Sequence, residues 1–314
     1  MQTGKIQDNI LKRSVTNIAG KGIPERMAPG VGRDCAFTKD GDYTVCSASA
    51  AGTAKGIGPA LAVYRAANNV WAAGGRVTGI QSVFFLSEDT EESQLKAITR
   101  AVTAACGRCG TRLIGGHTEV MPEVSQSILS VTAVGMLPAC REKEVVPGDF
   151  IVTTKWAGLE QMAIWLDNPE TARKLEERFS RSYLDTIRDC GEWLTIHDEA
   201  EIAVNSGAKL MHDVSGGGVF GALYEMSERL RMGFDIDFKA IPVRQEIMEA
   251  GTFLKVNPYR MKSSGSLLIV CHDGEAMASK LNDNGIPACV IGRFTDNNDK
   301  TIRNGEDISC LARK

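Results

Sequence analysis

The chain carries no excess of positive charge: 36 lysines and arginines stand against 39 aspartates and glutamates, for a formal net charge of -3 and a pI near 5.9. A nucleic-acid-binding surface would show as a basic stripe, but here the cations are scattered and no block of like charge reads as a tail. Long apolar runs are also missing. The most apolar short stretches, VFFL and LLIVC, fall far short of the roughly 18 residues that cross a membrane. The N-terminal MQTGKIQDNILKRSV lacks the apolar centre of an export signal. The cysteines number nine, an odd count with no disulfide-like spacing, so reduced thiols and a cytoplasmic location are expected, with no membrane and no nucleic-acid partner. No fixed-period repeat and no low-complexity segment is present.

What is there is a soluble composition, 43% hydrophobic and 24% charged, over a length suited to two domains. YTVCS reads as a strand. The alanine-rich GPALAVYRAANNVWAAGG reads as a helix with a glycine stop. RVTGIQSVFFL has strand composition, and EESQLKAITRAVTAACGRCG places Leu95, Ile98, Val102 and Ala105 at helical spacing. TRLIGG is a short strand running into a glycine pair, and SQSILSVTAVGML a long strand. The polar, proline-containing PACREKEVVPGD (138–149) marks the boundary between a domain over 1–140 and another over 146–314. FIVTTK then opens the second half, followed by a helical stretch from Gly158 to about Asn205, broken near Pro169. Interleaved strands and helices in both halves give an α/β or α+β class.

Three glycine-flanked sites invite chemistry. In KLMHDVSGGGVFGALYEMSERL, Asp213 ends a strand and Gly216, Gly217 and Gly218 open a helix whose face is set by Val219, Leu223, Met226 and Leu230. Unpaired backbone N–H groups collect at such a start and favour an anion; a close-packed turn is the bland alternative. LIGGHTEV offers Gly115 and Gly116 for backbone access, the Thr118 hydroxyl as donor, and His117 and Glu119 as ligands or proton carriers. A zinc-deaminase arrangement is disfavoured, because Cys106 and Cys109 precede the His-x-Glu and roughly 20 Å of extended chain separates Gly110 from Gly116. That cysteine pair sits at the end of a helix, not at its start, and reads as structural. PGVGRDCAF adds Arg33 and Asp34. Lys55 in AGTAKGIG looks phosphate-facing but misses the Walker A spacing; a solvated loop lysine is the alternative. His197 and His272 lie in polar runs and read as surface.

In order along the chain, PGVGRDCAF, AANNVWAAGG, LIGGHTEV, PGDFIVTTKWAGLE, MHDVSGGGVFGALYEM, IPV and SSGSLLIVCHDGE resemble the AIR synthase-related (PurM-like) superfamily, most closely its HypE-like carbamoyl dehydratase branch. The resemblance implies an α+β, PurM-like two-domain fold: an N-terminal mixed-sheet domain that joins a second copy in a dimer barrel, and a C-terminal α/β sandwich domain. It implies ATP between the domains, with Mg2+ held by acids, and phosphorylation of an oxygen- or sulfur-bearing small substrate. Carried onto this sequence, His117 and Glu119 become the proton-transfer pair, and Asp34 and Asp213 the metal ligands. Arg33, Lys55, Asn69, Gly115, Gly116, Thr118 and Gly216–Gly218 become the nucleotide contacts.

The departures are specific. Ala48-Ser49 stands where the family has an acid-containing step after the first strand, and Asn68-Asn69 where it has Asn-Asp. Arg33 precedes Asp34 where an acid is common, and Gly216 replaces an acid. HypE-type enzymes end in a carbamoyl-accepting cysteine, whereas Cys310 lies four residues short of this terminus. Magnesium is held chiefly by carboxylates and phosphate oxygens, so loss of acids predicts weakened metal binding, with Arg33 and Lys55 available to neutralise phosphate. Two functions follow: an ATP-dependent enzyme, or a non-catalytic partner or ligand-binding subunit, as a homodimer or beside a more intact paralogue.

Overall fold

The computed structural model describes residues 8–19, 21–23, 30–33, 35–40, 42–137 and 142–312. Asp34 therefore lies outside the described residues. The N-terminal helical turns, α1 (Asp8–Leu11) and α2 (Asn17–Ala19), flank a π-helical turn over Lys12–Thr16.

The first sheet is built from β1 (Ala36–Asp40), β2 (Asp42–Ala51), β3 (Arg76–Leu86), β4 (Leu113–Val120) and β5 (Ile128–Leu137), in the order β1-β2-β5-β3-β4. All neighbours are antiparallel except β3 and β4. Residues of β5 alternate between buried and half-buried over most of its length, as expected of a sheet with one face against a core. Helices α3 (Gly58–Ala72) and α4 (Glu92–Arg108) supply the apolar cover, with Ile98, Val102, Ala105 and Cys106 forming the inward face of α4.

The strand expected to stop at Gly115–Gly116 continues to Val120. Its pairing with β3 shifts register between Ile80 and Gln81, and the Gly116 backbone then runs so close to Ser82 that any side chain would collide with the Ser82 carbonyl. These glycines thus extend a strand instead of ending one.

The second unit carries β6 (Phe150–Thr154), α5 (Leu159–Asp167), α6 (Pro169–Arg178), α7 (Arg181–Asp185), α8 (His197–Asn205), β7 (Leu210–Val214), α9 (Gly218–Leu230), β8 (Gly233–Asp237), α10 (Gln245–Phe253), β9 (Ser266–Cys271), α11 (Gly274–Asp283), β10 (Ala288–Thr295), β11 (Lys300–Asn304) and β12 (Asp307–Cys310). Its strands follow the order β12-β11-β8-β10-β6-β9-β7. The break expected near Pro169 is a new helix start. Proline lacks the N–H that the first helical turn leaves unpaired anyway, and the Asn168 side chain caps α6 by accepting from Thr171 N at 3.0 Å.

Helix α3 joins the two units. All of its fifteen residues except Ala60, Arg65 and Asn69 are buried, which alanine permits because small side chains let both flanks be approached closely. One flank lies on β2 and β5, the other on β7 and α8. The apolar core is accordingly continuous from Val45 and Val70 in the first unit to Leu159 and Leu267 in the second. No helix among the described residues is long and apolar enough to cross a membrane.

Candidate functional site between the two units

A polar chain, buried at both ends and half-buried at Asn69, crosses the junction. Ser47 on β2, Asn69 on α3 and Asp213 on β7 meet there. In the amide orientation that satisfies both neighbours, Ser47 Oγ donates to the Asn69 side-chain oxygen at 2.7 Å, while the amide nitrogen donates to both Asp213 carboxylate oxygens, at 2.7 and 3.2 Å. Asp213 is only 2% exposed, so this bond offsets part of a large desolvation cost. Cys35 Sγ donates to the Asn69 carbonyl at 3.1 Å. Beside Asp213, buried His212 lies 3.4 Å from Glu225 of α9.

More of α3 is engaged the same way. Asn68 donates to Leu194 O at 2.9 Å and accepts from Ile196 N at 3.2 Å. Arg65 pairs with fully buried Glu160, which also accepts from Ser264. At the start of the helix, Asp167 accepts from Ile57 N at 2.9 Å. Its carboxylate occupies the space above Gly56, where φ is +56° and a side chain would collide with it. The loop AGTAKGIG, read from sequence as phosphate-like, thus receives an anion from the protein itself.

The triple glycine resolves residue by residue. A Cβ at Gly218 would lie 2.5 Å from Tyr259 O and 2.7 Å from Met261 O, and φ there is +64°. One at Gly217 would lie 2.9 Å from Gly221 Cα, whereas Gly216 faces open space. Two of the three glycines therefore serve close packing at the head of α9, and Gly216 leaves room for a ligand.

The remaining candidates stand elsewhere. Lys55 precedes the start of α3 and Asn69 lies near its end; Gly58 and Asn69 alone are separated by roughly 17 Å of helix at 1.5 Å per residue. His117 and Glu119, 3.2 Å apart and exposed, lie on edge strand β4 with Gly115, Gly116 and Thr118. That strand is three spacings, about 14 Å, from β2. The loop bearing Arg33 rests on α9: Arg229 donates to Gly32 O at 3.3 Å, and a Cβ at Gly32 would meet Glu225 O at 2.6 Å. Cys106 and Cys109 are buried free thiols at the end of α4; burial pushes them up to about 11 and about 12. His197 and His272 are exposed, as expected.

The described residues do not fit a resident divalent cation. Asp213 presents both oxygens to an amide nitrogen, and no three His, Cys, Asp or Glu side chains gather among the described residues. Ser47, Arg65, Glu160 and Asp167 were missed in the sequence because their partners lie far along the chain. The glycine of Lys55-Gly56-Ile57 was the one local signal for Asp167.

Residues 27–137 match the description "AIR synthase related protein, N-terminal domain", and 146–304 match "AIR synthase related protein, C-terminal domain". A carbamoyl dehydratase HypE from Rhodobacter capsulatus is 26% identical over 242 residues, covering 74% of this chain and 68% of that protein. The fold aligns with a chain of a HypE–HypF complex at a TM-score of 0.76 and 18% identity, covering 95% of this chain and 98% of the other. It aligns with HypE in complex with ATP at 0.72 and 16%, covering 99% and 95%.

Proposed function

Because the chain belongs to the AIR synthase related proteins, with a PurM-like two-domain fold, we propose that it is an ATP-binding, HypE-like protein that phosphorylates an oxygen- or sulfur-bearing small substrate. The observation that carries the reading is the place of Asp213, buried on β7 just ahead of the open Gly216 and the head of α9. Phosphates would lie at Gly216, and Arg33 would add positive charge only by reaching along α9, because its loop packs on Glu225 and Arg229, nearer the other end of that helix. Lys55 is too distant to share that task. In the transfer, the substrate oxygen or sulfur attacks the γ-phosphorus and the bond to the β–γ bridging oxygen breaks. ADP leaves, and the substrate proton passes to His117 or Glu119. Those two reach the junction only if a second copy brings its β4 there, so a homodimer is part of the proposal. The exposed Ile114 and Val120 on β4 support it.

A second reading, a non-enzymatic ligand-binding or partner subunit, is favoured by the Asn69–Asp213 hydrogen bond, which spends the carboxylate on holding the units together. Calorimetric titration of ATP with magnesium and then with EDTA, alongside a turnover assay, separates the two. Turnover abolished by Asp213→Asn supports the enzyme. Binding without turnover supports the second reading, and no binding in either buffer overturns both. Sedimentation of the wild type and Ile114→Lys tests the dimer, which the substitution should dissociate.

A further inference from the structure

The first unit contains an open cavity of about 420 Å³, within the roughly 300–1,000 Å³ usual for small-molecule sites. It lies where β2 and β3 end, β5 begins, and α3 and α4 begin. Its lining has two characters. Ala97, Ile98 and Ala101 of α4, with Ala54 and Pro59, give an apolar wall of small side chains. Against it stands a hydroxyl cluster: Thr90 Oγ1 is 2.7 Å from Ser127 Oγ and 3.0 Å from Ser87 Oγ, and Ser127 Oγ accepts from Ser87 N at 3.2 Å. The lining charges, Lys55 and Asp89, balance.

Three ligand classes fit poorly. An anion finds both helix starts taken, α3 by Asp167 and α4 by its own Glu91–Gln94 capping box. An aliphatic chain would strand the hydroxyls away from water. A sugar would waste the apolar wall. We propose that this cavity seats an uncharged, planar heteroaromatic ring bearing both hydrogen-bond donors and acceptors. The small side chains of Ala97 and Ala101, one helical turn apart, leave a shallow apolar face for the ring, while hydroxyls, which both donate and accept, meet its edge.

The proposal does not rest on the ATP reading, since Lys55 at its rim stands at the other end of α3 from Asn69. It is tested with adenosine and nicotinamide, neither carrying a phosphate, titrated into the full chain by calorimetry and ligand-observed NMR. Ala97 is exposed, so Ala97→Trp fills the mouth while leaving the core intact; Thr90→Val removes one hydroxyl. At least one probe should bind saturably, about ten-fold or more weaker in Ala97→Trp and weaker in Thr90→Val, with melting unchanged in Ala97→Trp. Binding of adenosine should survive Asp213→Asn even where ATP binding is lost. Failure of both probes to bind the wild type at millimolar concentration, or equal binding by Ala97→Trp, overturns it.

Discussion

Asn69 and Asp213 meet across the two units, the amide nitrogen 2.7 Å from one carboxylate oxygen and 3.2 Å from the other. An aspartate at 69 would face Asp213 with like charge. Asn69→Asp should destabilise the protein by about 1–3 kcal/mol, the cost of leaving the buried Asp213 carboxylate without its hydrogen bond, read as a lower urea midpoint in EDTA. Millimolar magnesium should restore part of the loss, because a divalent ion can bridge two carboxylates. The wild type should show no such dependence on magnesium.

Asp167 and Gly56 form a second coupled pair. Asp167→Ala removes a carboxylate from the head of α3 and should cost about 0.5–2 kcal/mol. Gly56→Ala should cost more, through the positive φ and the collision. Combined, the two should cost less than their sum, since removing the carboxylate frees the space a methyl needs. Denaturant unfolding of the four proteins measures the coupling.

Buried Lys155 donates to Thr195 O at 2.6 Å and Trp193 O at 3.3 Å and pairs with buried Glu199 at 2.6 Å. Burial raises the Glu199 carboxyl, and Lys155 opposes that rise. Lys155→Ala should cost about 3–5 kcal/mol by leaving an unpaired buried charge. With the lysine gone, the folded-state pKa climbs further above its unfolded value. The native variant then holds its proton more tightly, so the deficit should be smaller at low pH and grow as pH rises through that raised value. Unfolding at pH 5 and pH 8 checks the sign.

Thiol reactivity should divide sharply. Burial lifts Cys106 and Cys271 to about 11, and Cys109 and Cys190 to about 12, leaving a thiolate fraction of roughly one in a thousand or less at pH 8. Cys310 is exposed. Mass spectrometry after brief iodoacetamide treatment of native protein should find Cys310 modified and those four untouched.

The sequence was legible where structure is local. Val219, Leu223 and Met226 announced the buried face of α9, and Pro169 marked a break in the helical stretch, though not that a capped helix starts there. Collinear motifs carried the PurM-like fold. The site was less legible because its geometry comes from long-range pairs. Asp213-Val-Ser-Gly-Gly-Gly looked like one phosphate seat, yet Gly218 answers to the Tyr259 and Met261 carbonyls. LIGGHTEV looked like a strand opening into a loop, and only the neighbouring Ser82 carbonyl explains why the strand persists. Lys55 belongs to a different pocket from Asp213, a separation visible only once the intervening helix is known to be continuous.

Helix α3 is encoded in the first half of the chain, but part of its wall is encoded in the second. Either half produced alone would present an apolar flank with nothing to cover it: Trp71 and its neighbours in one fragment, the matching surface of β7 and α8 in the other. Heating should therefore melt the whole chain in one cooperative transition. Cleaving within 138–149 should leave a nicked pair that stays together until both halves unfold, and two halves expressed separately should be insoluble unless made in the same cell.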